Sequence, residues 1–168
     1  HNLAMFSIRP ARTSDVAAIT KIAQPLIEQR ILLGKELVEI YEAIQEFVVS
    51  EQEGQVIGFG ALHVMWQDLA EVRTLAVAES AKRKGIGAAM LRELLERARV
   101  LGVRRVFCLT FEEEFFRSHG FQVISDVPVD AETYAEMVRS NDDGVAEFLD
   151  LARVKQNTLG NSRMLLKL

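Results

Sequence analysis

The segment from Glu71 to Leu101 constrains this chain more than any other. Glu71-Val72-Arg73-Thr74-Leu75-Ala76-Val77 reads as a strand. Further on, Ile86, Met90, Leu91, Leu94, Leu95, Ala98 and Leu101 keep one apolar face of a helix until Gly102 ends it. Between the two stands Lys82-Arg83-Lys84-Gly85-Ile86-Gly87-Ala88. Two glycines at a strand-to-helix turn let the backbone approach a ligand closely. The first amides of the helix have no intrahelical partner and point outward, where they suit phosphate oxygens. Three cations beside them add charge complementarity. Residues Lys82 to Ala88 therefore read as a pyrophosphate cradle.

The remaining chain bounds what can surround that cradle. Its 168 residues suffice for one domain with a proper core. His1-Asn2-Leu3-Ala4 reads as a vector-derived remnant ahead of a start at Met5, which leaves 5–168 as a single domain. A net charge of −4 argues against general nucleic-acid binding, so the cations at 82–84 are a local exception. No apolar stretch reaches ~18 residues without a charge or glycine, so no membrane span is expected. A lone Cys108 inside a strand-like run has no disulfide partner, which suits the cytoplasm, and no secretory signal is visible. No His/Cys cluster has ligand spacing, and no metal is expected.

Phe6-Ser7-Ile8-Arg9 alternates like a short strand closed by Pro10. Thr13 or Ser14 can cap a helix through Val16, Ile19, Ile22, Ala23 and Leu26, which Pro25 should bend or stop. Leu37, Ile40, Tyr41 and Ile44 form a second helical stripe. Residues 47–51 and 56–62 are two strands around Glu53-Gly54, and a third strand spans 70–77. Val106-Phe107-Cys108-Leu109 is a continuous apolar run, the pattern of a strand covered on both faces. A short helix ends at Gly120, and Phe121 to Ile124 is another strand. Helices near 131–139 and 143–152 precede a last strand, Ser162 to Leu168. The order predicts an α/β (α+β) fold, a mixed sheet with helices on both faces.

This order, with the glycine turn after the third core strand, resembles the GNAT superfamily of acetyl-CoA-dependent N-acetyltransferases, whose mostly antiparallel sheet it implies. The family signature, Arg or Gln, two residues, Gly, one residue, then Gly or Ala, is matched from Lys82 to Gly87, with Lys in the first place. The family's aromatic pair before Gly-Phe is present as Phe115-Phe116-Arg117-Ser118-His119-Gly120-Phe121. Residues 26–33, 71–77, 107–110 and 161–165 look like the acetyltransferase domain of bacterial N-acetylglutamate synthases. The usual synthase has an amino-acid-kinase-like domain in front, so the resemblance is to a short, stand-alone form.

The resemblance implies acetyl-CoA as cosubstrate and a set of site residues. Leu75, Ala76 and Val77 would hold the pantetheine arm through their backbone, in a place where the family's sheet splays open. Lys82, Arg83, Lys84, Gly85, Ile86, Gly87 and Ala88 would hold the pyrophosphate. Glu71 matches the synthases' catalytic glutamate, a general base for the incoming amine. Thr110 matches a Ser or Thr that reaches the amine or thioester. Phe116 stands, beside the cofactor, where many members have a Tyr that protonates the leaving thiolate, and phenylalanine has no proton to give. Lys35, Arg73, Ser162 and Arg163 match acceptor-binding positions, and Arg73 shares a strand face with Glu71. Gly160 replaces an arginine found there in many synthases.

The sequence thus predicts a cytoplasmic amino-acid N-acetyltransferase acting on the α-amine of glutamate, or of glutamine, the first step of arginine biosynthesis. Its helices near 131–152 are read either as a cover of the site or as a homodimer surface. Two other readings stand beside it. One keeps the fold but changes the acceptor to a polyamine, a drug amine or a protein N-terminus, which the acidic run Glu112-Glu113-Glu114 would favour. The other is a non-catalytic acyl-CoA-sensing module.

Overall fold

The computed structural model describes residues 5–32, 34–158 and 160–168, the side chains of 156–158 excepted. Its elements are β1 (Phe6–Pro10), α1 (Val16–Glu28), α2 (Leu37–Glu42), β2 (Phe47–Gln52), β3 (Gln55–Trp66), β4 (Leu69–Val77), α3 (Ile86–Leu101), β5 (Arg105–Thr110), α4 (Glu113–Arg117), β6 (Gln122–Val123), α5 (Ala131–Met137), α6 (Asp143–Phe148) and β7 (Ser162–Lys167). The strands form one mixed sheet in the order β1-β2-β3-β4-β5-β7-β6. β1–β2, β2–β3, β5–β7 and β6–β7 run antiparallel and β4–β5 parallel. The chain divides into two compact units, residues 1–62 with 72–97 and residues 63–71 with 98–168.

In the first unit, strand alternation sends successive residues to opposite faces. Val49 pairs with Arg9 and joins an apolar cluster with Val16, Ile19 and Ala23 of α1 and Ile40 of α2. One residue on, Ser50 pairs with Ile8, which packs with Ile57, Ile86 and Met90 on the other face. Helices thus cover both faces of this unit. Gly58 and Gly60 let α3 lie close: a Cβ on Gly58 would meet Met90 Cε at 2.8 Å, and one on Gly60 would meet Leu94 Cδ1 at 3.2 Å. Met90 and Leu94 are wholly buried, each burial stabilising by about 1.5–3 kcal/mol. Arg9 ties the layers together, donating to Asp15 at 2.8 and 3.0 Å and to Glu51 at 2.7 Å.

In the second unit, β5 lies between the end of β4 and β7. Leu69, Phe107 and Leu165 of these strands pack with Met137 of α5 and Val145, Phe148 and Leu149 in and after α6. Phe107 and Phe148 meet edge to face at 5.3 Å, which adds to their area burial. Asp130 and Asp142 cap α5 and α6 by accepting the amides of Thr133 and Val145. Asp68, in the β3–β4 turn, receives the Arg105 guanidinium and the amides of Arg104 and Arg105.

Four local expectations are corrected. Pro25 does not stop α1, which continues to Glu28; so near the helix end it removes little. Asp15, and not Thr13 or Ser14, stands at the N-cap of α1, and its side chain caps no amide of that helix but accepts the Arg12 amide at 2.7 Å across the preceding 3-10 turn. The strand expected at 121–124 shrinks to Gln122–Val123, because Phe121 is drawn into a stack with Phe116. α5 and α6 end earlier than the sequence predicted, at Met137 and Phe148. Residues 1–4, expected to be a remnant, lie outside the described residues, as does Leu33.

Candidate active site

The cradle belongs to the first unit. β4 runs into a short 3-10 turn at Glu79–Ala81, and α3 begins at Ile86. Arg83 and Gly85 between them have left-handed φ angles of 66° and 79°. Gly85 adopts this freely, while Arg83 stores strain of the kind that marks binding loops. A Cβ on Gly85 would meet nothing within 4 Å, so the space in front of the turn is open. Lys82, Arg83 and Lys84 are exposed, and Lys82 pairs with Glu79 at 3.0 Å. Ala89 donates to the Gly85 carbonyl at 3.1 Å, leaving the amides before it at the positive end of a 16-residue helix. An open turn, free amides and clustered cations fit a diphosphate.

Upstream of the cradle, Leu75 and Val77 are half-buried and Ala76 is buried. Thr74, a β-branched residue with φ of 57°, interrupts the regular pleat just before them. Its hydroxyl donates to the Arg73 carbonyl at 2.6 Å. Such an irregularity re-aims the backbone beyond it, while the strand itself runs on to Val77 and Ala78 still donates to the Ile57 carbonyl of β3 at 2.8 Å. Arg73 is half-buried and Lys35 exposed.

The catalytic candidates belong to the second unit. The parallel ladder between β4 and β5 runs from Leu69–Arg105 to Glu71–Phe107, so Glu71 sits at its last rung. Only 5% of Glu71 is exposed. Burial pushes the Cys108 thiol well above its ordinary value, and the nearby Glu71 carboxylate pushes it further. Cys108 is a protonated core residue there and no nucleophile. Thr110 lies opposite Ser162 in the β5–β7 ladder, and its hydroxyl oxygen accepts the Glu112 amide at 2.7 Å. The hydroxyl hydrogen is left to donate.

Phe116 is buried in an edge-to-face stack with Phe115 and Phe121, at 5.1 Å from each. Phe115 in turn lies 5.0 Å from the His119 ring. Ser162 donates to the Glu113 carboxylate at 2.6 Å, and Arg117 holds the same carboxylate at 2.5 Å. Those two contacts, Ser162 first, hold the Glu113 carboxyl below its ordinary range. Arg163 turns its guanidinium inward onto main-chain carbonyls of Glu147, Phe148 and Asp126.

The structure therefore brings Thr110 and Ser162 side by side and puts Glu71 one strand away, in register with Phe107. It sends Arg163 elsewhere. Gly160 has a φ of 81°, and a Cβ there would meet the Phe111 ring at 3.2 Å, so an arginine would not fit without rearrangement. Sequence reasoning missed Glu113 as Ser162's partner. Its pairing with Arg117, four residues on, is readable from helical spacing, but Ser162 is 49 residues away. Among the described residues no group of three His, Cys, Asp or Glu could hold a metal ion, and no helix is long and apolar enough to cross a membrane.

The model of the acetyltransferase (GNAT) family matches residues 17–121. The amino-acid acetyltransferase of Mycobacterium tuberculosis is 56% identical over 96% of this chain and 94% of its own. An amino-acid acetyltransferase of Neisseria meningitidis is 35% identical over 82% of this chain, which spans only 32% of that longer protein. Rv2747 of Mycobacterium tuberculosis, solved in complex with CoA and NLQ, superposes with a TM-score of 0.93 at 55% identity, covering 96% of this chain and 99% of that one. The N-acetylglutamate synthase of Neisseria gonorrhoeae, solved with coenzyme A and N-acetyl-glutamate, gives a TM-score of 0.78 at 27% identity, over 97% of this chain and 35% of that one.

Proposed function

The chain belongs to the acetyltransferase (GNAT) family, and from that premise we propose that it is an amino-acid N-acetyltransferase. It transfers acetyl from acetyl-CoA to the α-amine of glutamate, or of the close analogue glutamine, the first step towards arginine. One observation carries the reading. A single stretch of chain holds, in order, a buried carboxylate (Glu71), a left-handed φ at Thr74 within β4 and an amide-and-cation cradle at 82–88. Similarity to an amino-acid acetyltransferase over nearly all of both chains supports the acceptor class.

Arg83, Lys84 and the backbone of Gly85, Ile86, Gly87 and Ala88 hold the pyrophosphate of the cosubstrate, with Lys82 at the rim. The backbone of Leu75, Ala76 and Val77 holds its arm beyond Thr74. Bound there, acetyl-CoA supplies an activated thioester. Glu71 takes a proton from the acceptor's ammonium, directly or through one water, so that a neutral amine can attack. Thr110, with its oxygen already occupied by the Glu112 amide, keeps its hydrogen for the reacting groups. Phe116 gives no proton, so the departing thiolate leaves without an acid from that position, as the modest basicity of a thiolate allows. Lys35 and Arg73 meet the acceptor's carboxylates, whereas Ser162 gives its one hydroxyl hydrogen to Glu113 and has none left for a carboxylate.

The reading takes residues 5–168 as one acetyltransferase domain in the cytoplasm, with β3, β4 and α3 each running through both units. The 131–152 segment is a cover of the site or a homodimer surface, which sedimentation of the protein separates. Thiol release from acetyl-CoA, measured with a panel of free amino acids, tests the function. Turnover with glutamate or glutamine, falling by about 10²- to 10⁴-fold in Glu71→Gln, is the expected result. Turnover confined to polyamines or peptides would overturn the acceptor class, and an undiminished Glu71→Gln would remove the base.

A further inference from the structure

Arg163 is a charged side chain where charge is costly. It is 9% exposed. Its Nε donates to the Glu147 carbonyl at 3.0 Å, and one terminal nitrogen donates to the carbonyls of Phe148 at 2.5 Å and Asp126 at 3.0 Å. The guanidinium carbon lies 5.8 Å from the centre of the Phe107 ring, within cation–π range. Burial pushes the guanidinium below its ordinary value, against the pull of Asp150 and Asp126.

These partners come from three separated pieces of chain. Asp126 follows β6, Glu147 and Phe148 close α6, and Arg163 itself stands on β7. The carbonyls at a helix C-terminus are the ones left without intrahelical donors, and a cation there also suits the dipole. On β7, Arg163 pairs with Leu109, one rung from the Thr110–Ser162 pair. The ring it covers, Phe107, is in register with Glu71. Phe107 thus meets both the guanidinium and, nearly perpendicular to it, the Phe148 ring.

We infer that Arg163 is a positioning residue. It clamps the 126–149 segment onto β5 and β7, and through these strands holds Glu71 and Thr110 in their working places, instead of binding the acceptor's carboxylate. The inference rests on the proposed function for what Glu71 and Thr110 do, while the clamp itself rests on geometry alone. A planar guanidinium serves three carbonyls in one fork, which a lysine ammonium, a compact point charge, does not reproduce. Carbonyls left without a donor in the interior pull the segment out of place. A displacement of about 1 Å at reacting groups costs on the order of a hundredfold in rate.

Arg163→Lys in the full chain decides the matter, because it keeps the buried cation and loses the fork. The expected result has three parts. The kcat for the amino-acid acceptor falls about tenfold to a hundredfold. The acceptor KM stays within about threefold, and acetyl-CoA affinity by calorimetry is unchanged. Amide hydrogen exchange rises in 126–149 and not in residues 5–62. A rise in acceptor KM at constant kcat would make Arg163 an acceptor ligand and overturn the inference. Unchanged kinetics with a lower Tm would reduce it to a stability residue, which overturns it too. Were the wild type inactive with every amino acid, the proposed function would fail, and exchange alone would then judge the clamp: local loss of protection supports it, and uniform loss refutes it.

Discussion

Replacing Gly85 by alanine separates the backbone requirement of the cradle from ordinary stability. Gly85 holds a φ of 79°, and an added Cβ would meet nothing within 4 Å. The substitution therefore brings no clash, only the left-handed backbone penalty of about 1–2 kcal/mol for an L-residue. Reduced freedom of the unfolded chain returns about 0.4–1 kcal/mol. Net destabilisation is about 1 kcal/mol, or roughly 2–4 °C in Tm for a chain of this size. Gly102, at the far end of α3, is the matched control: its φ is 86°, and its Cβ would also meet nothing within 4 Å. Gly102→Ala should lose this stability, and Gly85→Ala no more than that.

Only Gly85→Ala should also weaken acetyl-CoA binding. In the free protein the strained loop escapes by leaving the left-handed conformation, which turns the first amides of α3 away. Binding must then restore it, at up to about 1–2 kcal/mol, which is roughly a five- to thirtyfold increase in Kd. Thermal unfolding and titration calorimetry of both variants give the two numbers. An unchanged Kd in Gly85→Ala, or an equal loss in Gly102→Ala, would refute the assignment of the cradle.

Four further outcomes follow from burial and pairing. Ser50 is completely buried and among the described residues its hydroxyl has no hydrogen-bond partner, so Ser50→Ala should stabilise by about 1 kcal/mol in urea unfolding. Gly58→Ala would bring a Cβ to 2.6 Å from that hydroxyl and 2.8 Å from Met90 Cε; a cost of about 1–3 kcal/mol is expected, smaller when combined with Ser50→Ala, and strict additivity would contradict the shared contact. The Arg9 guanidinium, and then the Arg12 amide, hold the Asp15 carboxyl below its ordinary 3.8. Its folded value lies under its unfolded one, so its stabilisation is present above about pH 4 and is lost as pH falls through the folded value. Asp15→Asn should accordingly be less stable near neutrality and lose less on acidification, and parallel pH profiles would count against the pairing. Cys108, buried with its thiol pushed up, should react with a thiol reagent only after unfolding; rapid labelling of the native protein would contradict its place in the core.

Much of the site was readable because its signals are local. The glycines at 85 and 87 report a tight turn, and the apolar stripe from Ile86 to Leu101 reports a helix that starts there. Neither depends on distant residues. Glu71 was nameable through family resemblance, but its burial at the last rung of the β4–β5 ladder was not, because that rung is made with a residue 36 positions on. Pro25 misled since its effect depends on how near the helix end it falls. Phe121 misled since a buried aromatic partner, Phe116, outweighed its strand propensity.

By itself, then, the sequence determined the order of elements, the glycine turn before α3 and the lack of an acidic proton at Phe116, all properties of residue type and short-range spacing. Tertiary structure alone decided what the charges do. Lys35 and Arg163 look alike in a sequence, as cations near acceptor-binding motifs. Folding leaves the first in water and takes the second inside, where three main-chain carbonyls 15 to 37 residues away hold it. It likewise gave Ser162 a carboxylate partner from α4. A charge's role follows from its solvation and its partners, and those are set by contacts between residues far apart along the chain.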